Sequence, residues 1–198
     1  TEGNLTGSPG DRLGAYAQFR VGRMDPETGE QFKRFLAYDL TESGRRENAT
    51  ELRDVEVLQF SDLVDRFWLY QFGFAADFRA PKRVEMLGGD DRISVFTADR
   101  RPAETALMTI DAGDGNDLAL LVSADSDTPV PTRVNLLGGA GEATISYADR
   151  GVFDLSAGQT EGGAVTFSGF EHVIVDDDDG LSSTQLVEDF FNASKGHG

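Results

Sequence analysis

The sequence VEMLGG at residues 84–89 recurs as VNLLGG at residues 134–139, and this recurrence decides the fold class. A related segment, MTIDAG at residues 108–113, lies midway, so turn positions 88, 112 and 138 define a period of 24 to 26 residues. Each unit contains an apolar strand, a glycine-rich turn and a second apolar strand. A fixed period of this length, built from short strands and glycine turns, is typical of a solenoid.

Alternating side chains support the strand assignment. Ile93 and Val95 alternate with the polar residues Arg92 and Ser94, which is the period of two expected of a strand. Tight corners between strands need a positive φ, which glycine adopts readily. We therefore predict an all-β protein, a short parallel β-solenoid (β-roll or β-helix) with about 25 residues per rung. The alternative is an antiparallel β-sandwich whose hairpins are similar by coincidence.

The charge is strongly acidic and unevenly distributed. The 198 residues include 35 acidic and 18 basic side chains, for a net charge of -17. Residues 1–83 account for -2 of this charge and residues 84–198 for -15. Such a chain should repel nucleic acid and anionic lipid. Many carboxylates of the second part lie in or near glycine turns, which favours cation binding over a merely salt-adapted surface.

The composition also excludes several classes of protein. No cysteine is present, which rules out a disulfide framework, a zinc finger and a thiol nucleophile. No apolar run reaches the roughly 18 residues of a membrane-spanning helix, so we predict that the chain is not a transmembrane protein.

The middle unit carries a nonapeptide that indicates a metal site. Residues 112–120, AGDGNDLAL, match the glycine-rich motif G-G-x-G-x-D-x-U-x, with alanine in the first place. Ca²⁺ takes about 6–8 oxygen ligands, and small glycines let backbone carbonyl groups point at the ion. We predict that the side chains of Asp114 and Asp117 bind Ca²⁺ together with the carbonyl groups of Gly113 and Gly115.

An ion between two rungs also needs ligands from a neighbouring turn. Asp90 and Asp91 lie in the preceding turn and are candidate ligands. In the following turn, Ala143 occupies the place where the motif has its aspartate. We therefore expect roughly zero to two bound Ca²⁺ ions. The alternative is a solenoid whose turns keep glycine for geometry alone.

With these motifs the chain resembles the RTX (repeats-in-toxin) family, secreted proteins with hemolysin-type calcium-binding repeats. Residues 5–13, 52–62, 153–158 and 167–173 resemble segments that begin or flank such repeats. The repeats are degenerate, because the family has tandem nonapeptides and this chain has single copies. The resemblance implies Ca²⁺-driven folding after export, type I secretion and a bacterial secreted or cell-surface location.

Other acidic clusters are weaker metal candidates. Asp176 and Asp178 belong to a run of four aspartates, of which a turn could bring two or three to a cation. A charge run is more often a solvated loop. Asp125 and Asp127 form a smaller cluster of the same kind.

The sequence contains no recognisable catalytic motif. The two histidines, His172 and His197, belong to no H-E-x-x-H motif, and no nucleophile elbow or Walker loop occurs. We therefore predict no catalytic residues. A polysaccharide-acting β-helix enzyme is a weaker alternative, since residues 84–198 contain only 6 Lys and Arg.

The chain divides into three parts by composition. We predict an aromatic, β-rich N-terminal cap over residues 1–83, solenoid repeats over residues 84–180, and a short helix and tail over residues 181–198. The run FWLYQFGF at residues 67–74 is the most apolar of the chain, and core is its simplest interpretation. A partner surface is the alternative, with Phe67, Trp68, Tyr70 and Phe72 as its contact residues.

The predicted function is non-catalytic. We expect a secreted calcium-binding structural or interaction module of RTX type. The alternative is a calcium-free structural subunit of an extracellular or membrane-associated assembly. The expected partners are calcium and other protein subunits of a surface assembly.

Overall fold

The computed structural model describes residues 2–4, 12–24, 31–41, 46–52, 55–70, 81–98, 106–124, 132–149, 153–154, 158–160 and 163–176. Every regular element in these ranges is a β-strand, which confirms the all-β class. No helix in the described part of the chain is long and apolar enough to cross a membrane. The helix predicted within residues 181–198 lies outside the described residues.

Eighteen strands make up the described fold. They are β1 (Glu2–Asn4), β2 (Arg12–Met24), β3 (Gln31–Thr41), β4 (Arg46–Leu52), β5 (Val57–Gln59), β6 (Arg66–Tyr70), β7 (Arg83–Glu85), β8 (Arg92–Ala98), β9 (Ala106–Asp111), β10 (Asp114–Gly115), β11 (Leu118–Ala124), β12 (Thr132–Leu137), β13 (Ala140–Gly141), β14 (Thr144–Asp149), β15 (Phe153–Asp154), β16 (Gln159–Thr160), β17 (Val165–Ser168) and β18 (His172–Asp176).

The strands form two eight-stranded sheets and one two-stranded sheet. The first sheet has the order β1-β5-β7-β9-β12-β17-β16-β15, and the second has the order β18-β14-β11-β8-β6-β2-β3-β4. The two-stranded sheet pairs β10 with β13 in the turns between them. Neither eight-stranded sheet is closed within the described residues, since each order has two edge strands.

Parallel pairing with a constant offset dominates both large sheets. In the second sheet, Leu118 pairs with Arg92 on one side and with Thr144 on the other. Each step equals the spacing of 26 residues that separates Asp91 from Asp117 just before these strands. In the first sheet, Thr132 pairs with Ala106 at the same offset. Each repeat therefore contributes one strand to each sheet and a turn between them.

The same offset continues before residue 84. Arg92 pairs with Arg66 of β6, and Arg83 pairs with Val57 of β5, again one full repeat apart. Strand pairing therefore crosses the predicted boundary between residues 83 and 84 without interruption. This repeat is not evident from the glycine pattern of the sequence, because residues 55–70 contain no glycine.

Both ends of the sheets depart from this regular pairing. At the N-terminal end, β1 and β2 pair in parallel with β5 and β6, and β3 and β4 then extend the second sheet in antiparallel pairing. At the C-terminal end, β16 and β15 extend the first sheet in antiparallel pairing. The second sheet ends there at β18.

Apolar residues of both sheets pack in one core. Ile93, Ala119 and Ile145 occupy paired positions of the second sheet, and all three are buried. Val84 and Ile110 occupy paired positions of the first sheet and belong to the same buried cluster. Burying a side chain of the size of valine or isoleucine stabilises the fold by about 1.5–3 kcal/mol.

The aromatic run contributes to this core. Phe67 is fully buried and packs edge-on against Phe60, with ring centroids 6.3 Å apart, so it is not accessible to a partner. Trp68 is partly buried and contacts Phe96, with ring centroids 6.4 Å apart. Of the other proposed contact residues, the Tyr70 side chain and Phe72 lie outside the described part of the structure.

Candidate functional site

The glycine turns bring neighbouring repeats into close contact. A Cβ atom on Gly139 would lie 1.8 Å from the carbonyl oxygen of Gly113, and one on Gly115 would lie 1.9 Å from that of Gly89. Gly139 also has a φ of 76°, a conformation that favours glycine. These turns therefore need glycine for geometric reasons that involve no metal.

Backbone groups of the turns form hydrogen bonds between repeats. The carbonyl oxygen of Gly113 accepts from the N–H of Ala140 at 2.8 Å. The carbonyl oxygen of Asp114 accepts from the N–H of Gly89 at 3.0 Å. A carbonyl oxygen has a second lone pair, so these hydrogen bonds do not prevent the Gly113 carbonyl group from binding calcium. Calcium binding by Gly113 therefore stays a prediction.

Three buried aspartates form a column at the start of the second-sheet strands. Asp65, Asp91 and Asp117 directly precede β6, β8 and β11, and they lie 26 residues apart. Their side chains are buried, with relative exposures of 0%, 0% and 2%. Buried carboxyl groups are costly unless they form hydrogen bonds. We call these three residues the aspartate column.

Each residue of the aspartate column accepts a hydrogen bond from the preceding repeat. The N–H of Asp65 donates to Oδ1 of Asp91 at 2.7 Å, and the N–H of Asp91 donates to Oδ1 of Asp117 at 2.9 Å. The N–H of Ala15 donates to Oδ1 of Asp65. The Oδ1 atoms therefore satisfy backbone donors that would otherwise be buried without an acceptor.

The column ends where the sequence changes. Position 143, which follows Asp117 by one repeat, is an alanine and offers no side-chain acceptor to the Asp117 N–H. The N–H of Ala143 donates to Oε2 of Glu171 at 2.9 Å. Because Glu171 directly precedes β18, it takes the place of the column aspartates in the last repeat.

The second carboxyl oxygens differ along the column. Oδ2 of Asp65 accepts from the N–H and the hydroxyl group of Ser61, at 2.8 and 2.9 Å. The buried Oδ2 atoms of Asp91 and Asp117 have no hydrogen-bond partner among the described residues. The positions equivalent to Ser61 in the next two repeats carry no hydroxyl group. Two buried carboxyl oxygens are thus available to a proton or a cation.

Burial shifts the protonation of the column. Burial raises the pKa of Asp91 to about 9, and repulsion from Asp65, Asp117 and Asp90 adds to this effect. Burial likewise raises the pKa of Asp117 to about 6 and the pKa of Asp65 above its ordinary value. Without a cation, Asp91 is therefore neutral near neutral pH. A bound cation would oppose these shifts because it stabilises the carboxylate form.

A cavity of about 390 Å³ opens beside the column. Its lining includes Asp90, Asp91, Arg92, Asn116, Asp117, Glu142 and His172. The N–H of Asn116 donates to Oδ1 of Asp90 at 3.0 Å, which positions that exposed carboxylate. Four acidic side chains therefore surround one cavity, together with two basic ones.

The structure brings together only some of the predicted ligands. Asp90, Asp91 and Asp117 line the cavity, whereas Asp114, Gly113 and Gly115 are not among its lining residues. Of the weaker candidates, Asp176 ends β18, and its side chain, like Asp125, Asp127 and Asp178, lies outside what the structure describes.

Sequence reasoning missed several residues that belong to this site, three of them acidic. Asp65 begins the column, Glu142 lines the cavity, and Glu171 replaces the column aspartate in the last repeat. The spacing between Asp117 and Asp91, applied once more toward the N-terminus, identifies Asp65. Glu171 follows Ala143 by 28 residues, so the same spacing does not reach it.

Within the described ranges, no three histidine, aspartate or glutamate side chains are grouped closely enough to hold a metal ion by themselves. Comparison of the chain with protein-family models, curated proteins and solved structures found no match. The resemblance to RTX proteins therefore stays a prediction.

Proposed function

We propose that the chain is a short parallel β-solenoid of RTX type that serves as a non-catalytic, calcium-dependent structural module of a secreted protein. The buried Oδ2 atoms of Asp91 and Asp117 carry this proposal, because they lack a partner among the described residues and lie beside an acidic cavity. The parallel pairing at a constant offset supports the solenoid.

The oxygen atoms at this cavity suit calcium. Asp91 and Asp117 each offer one carboxyl oxygen, Asp90 and Glu142 offer exposed carboxylates, and Asn116 offers an amide oxygen. Ca²⁺ takes about 6–8 oxygens, including carbonyl groups and water molecules. The site therefore does not require three carboxylates that already lie close together.

Calcium bound here would stabilise the folded chain. It would hold Asp91 and Asp117 as carboxylates in a buried place where desolvation, together with repulsion from nearby aspartates, otherwise favours protonation. Because the column is assembled only on folding, the free energy of binding adds to the free energy of folding. Such a module folds after export, since calcium is scarce in the cytosol and abundant outside cells.

A calcium-free structural subunit is the second candidate function. The Oδ1 hydrogen bonds of the column and the close glycine contacts already join the repeats without an ion. In that case Asp91 remains protonated and the acidic cavity is a solvated surface. This candidate predicts the same fold but no response to calcium.

A polysaccharide-acting enzyme is a weaker candidate. The cavity places Arg92 with Asp90, Asp117 and Glu142, the residue types that such an enzyme uses. Assays of release of reducing ends from neutral and acidic polysaccharides test this candidate directly.

Thermal unfolding followed by far-UV circular dichroism tests the calcium proposal. Millimolar Ca²⁺ should raise the Tm by about 5 to 10 °C relative to excess chelator, the size expected when the ion is at roughly 100 times its Kd. Mg²⁺ at the same concentration should have a smaller effect because it demands a tighter octahedral site.

Two variants locate the site. Glu142→Gln should reduce the calcium response and leave the Tm in chelator unchanged, since Glu142 lies at the cavity but outside the column. Asp114→Asn is the comparison variant in the neighbouring turn and should retain more of the response than Glu142→Gln, since Asp114 does not line the cavity. A wild-type Tm that does not respond to calcium overturns the proposal, and a loss confined to Asp114→Asn moves the ion to the glycine turn.

A further inference from the structure

A second groove, of about 310 Å³, lies on the outer face of the first sheet, away from the aspartate column. Along β9 and β12, Met108, Ile110, Val134 and Leu136 point into the core and are buried. The alternate residues therefore face outward, and those of β12 line the groove together with residues of β16 and β17.

Uncharged polar side chains form a row across this outer face. Asn135 pairs with Thr166, and Thr166 pairs with Gln159, so the three lie side by side on adjacent strands. Neighbouring strands in a sheet are about 4.8 Å apart, and the row therefore presents polar groups at a regular short spacing. The hydroxyl group of Thr166 donates to Oδ1 of Asn135 at 3.0 Å, which leaves the Asn135 Nδ2 donors outside that bond.

The described residues that line the groove carry positive charge, whereas the aspartate column consists of acidic residues. None of the described residues that line it is acidic, although the chain has 35 acidic residues and a net charge of -17. Arg133 is its one charged lining residue and pairs with no carboxylate among the described residues. Leu107, paired with Arg133 on the neighbouring strand, is 49% exposed and adds an apolar surface.

A second arginine on the same sheet, Arg83, differs from Arg133 in its ion pairs. Arg83 lies on β7 and forms ion pairs with Glu85 at 2.8 Å and with Asp111 at 3.7 Å. Its charge is therefore neutralised within the sheet, whereas no carboxylate of the described residues forms an ion pair with Arg133.

We propose that this groove binds an extended saccharide chain that carries carboxylate groups. The guanidinium group of Arg133 pairs with a sugar carboxylate through two parallel hydrogen bonds. The amide groups of Asn135 and Gln159 bond to sugar hydroxyl groups, and Leu107 packs against the apolar face of a sugar ring. The regular strand spacing suits a polymer whose sugar units repeat along the row.

The acidity of the rest of the chain weakens but does not prevent such binding. At physiological ionic strength, charges more than about 8 Å apart are largely screened. Attraction at Arg133 is local, and no described acidic residue lines the groove. We therefore expect modest affinity for one sugar unit and a larger effect with a polymer, which contacts the groove repeatedly.

Native affinity electrophoresis tests the proposal, with polygalacturonate as the acidic probe and hydroxyethyl cellulose as its uncharged counterpart. The full chain, in buffer with chelator and without calcium, should be retarded by polygalacturonate and much less by hydroxyethyl cellulose. Arg133→Gln should weaken retardation about tenfold or more because a charge-assisted bidentate contact is lost. Leu107→Ala, at an exposed position, should weaken it less.

Arg83→Gln is the matched control on the same sheet and should leave retardation unchanged. Circular dichroism spectra identical to that of the wild type show that the variants remain folded. Equal losses in Arg133→Gln and Arg83→Gln overturn the proposal, because general electrostatics would then be the cause. Absence of retardation by polygalacturonate, or equal retardation by both polymers, also overturns it. The proposal is independent of the calcium site, since no cavity residue lines this groove.

Discussion

The backbone N–H of Asp91 donates a hydrogen bond of 2.9 Å to Oδ1 of Asp117, the residue 26 positions later in the chain. Asp65 donates to Asp91 in the same way at 2.7 Å. Asp91 thus presents its carboxyl group to the repeat before it and its N–H to the repeat after it. Because this carboxyl group is buried, stability depends on whether a proton or a cation satisfies its second oxygen.

Removing one carboxyl group should break one of these links. In excess chelator, Asp117→Ala should lower the free energy of unfolding by about 1–3 kcal/mol, because the Asp91 N–H is left buried without an acceptor. Asp117→Asn keeps an acceptor at the same place and should lose much less. Urea denaturation followed by circular dichroism measures both variants. Equal losses in the two would show that the hydrogen bond is not the cause.

Filling the gap in the column should stabilise the fold. Ala143→Asn places an acceptor near the N–H of Asp117 and should raise the free energy of unfolding by about 0.5–1.5 kcal/mol. Ala143→Val adds similar bulk without an acceptor and serves as the control. The same urea titration compares them, and an equal gain in the valine variant would attribute the effect to packing.

The sequence period was enough to predict an all-β chain because Gly88, Gly138 and their neighbours recur with apolar strands around them. It did not extend the pairing pattern before residue 84, for a physical reason. In the repeat that contains Ser61 and Asp65, strand pairing and the column are kept, but the glycines are not. A search for the glycine motif therefore misses this repeat, whereas its buried aspartate, Asp65, identifies it.

The sequence does not reveal the role of the aspartate column, for a different reason. Asp117 occupies the motif position of a calcium ligand, and the motif describes only residues that are close in sequence. Its hydrogen-bond donor is the N–H of Asp91, one repeat earlier in the chain, which only the pairing of β8 with β11 reveals. Glu142 was missed because the motif leaves its position unspecified.

Two glycines, one from each Gly-Gly pair of the repeat, should differ sharply on substitution. Gly139→Ala places a Cβ atom 1.8 Å from the Gly113 carbonyl oxygen at a φ of 76°, and should cost about 3 kcal/mol or more. Gly88→Ala meets no atom closer than 3.5 Å and should cost under about 1 kcal/mol. Thermal unfolding of both variants checks the difference. Similar losses would contradict the close contact between turns.

Stability in the absence of calcium should fall as the pH rises. Burial raises the pKa of Asp91 from 3.8 to about 9. The folded state therefore holds a proton that the unfolded state has released between these two values, and its stabilising effect is complete below about 4 and lost as the pH passes about 9. Asp91→Asn keeps the acceptor for the Asp65 N–H but cannot titrate, so its Tm should fall less steeply with pH.

Melting curves in chelator at half-unit steps between these pH values compare the wild type with Asp91→Asn. Calcium should reverse the trend in the wild type, because the ion binds the deprotonated carboxyl group and its stabilising effect grows as the pH rises. In Asp91→Asn the calcium effect should be smaller and depend less on pH. Parallel pH profiles for the two proteins in chelator would contradict a protonated Asp91, since a group that releases no proton on unfolding adds no slope.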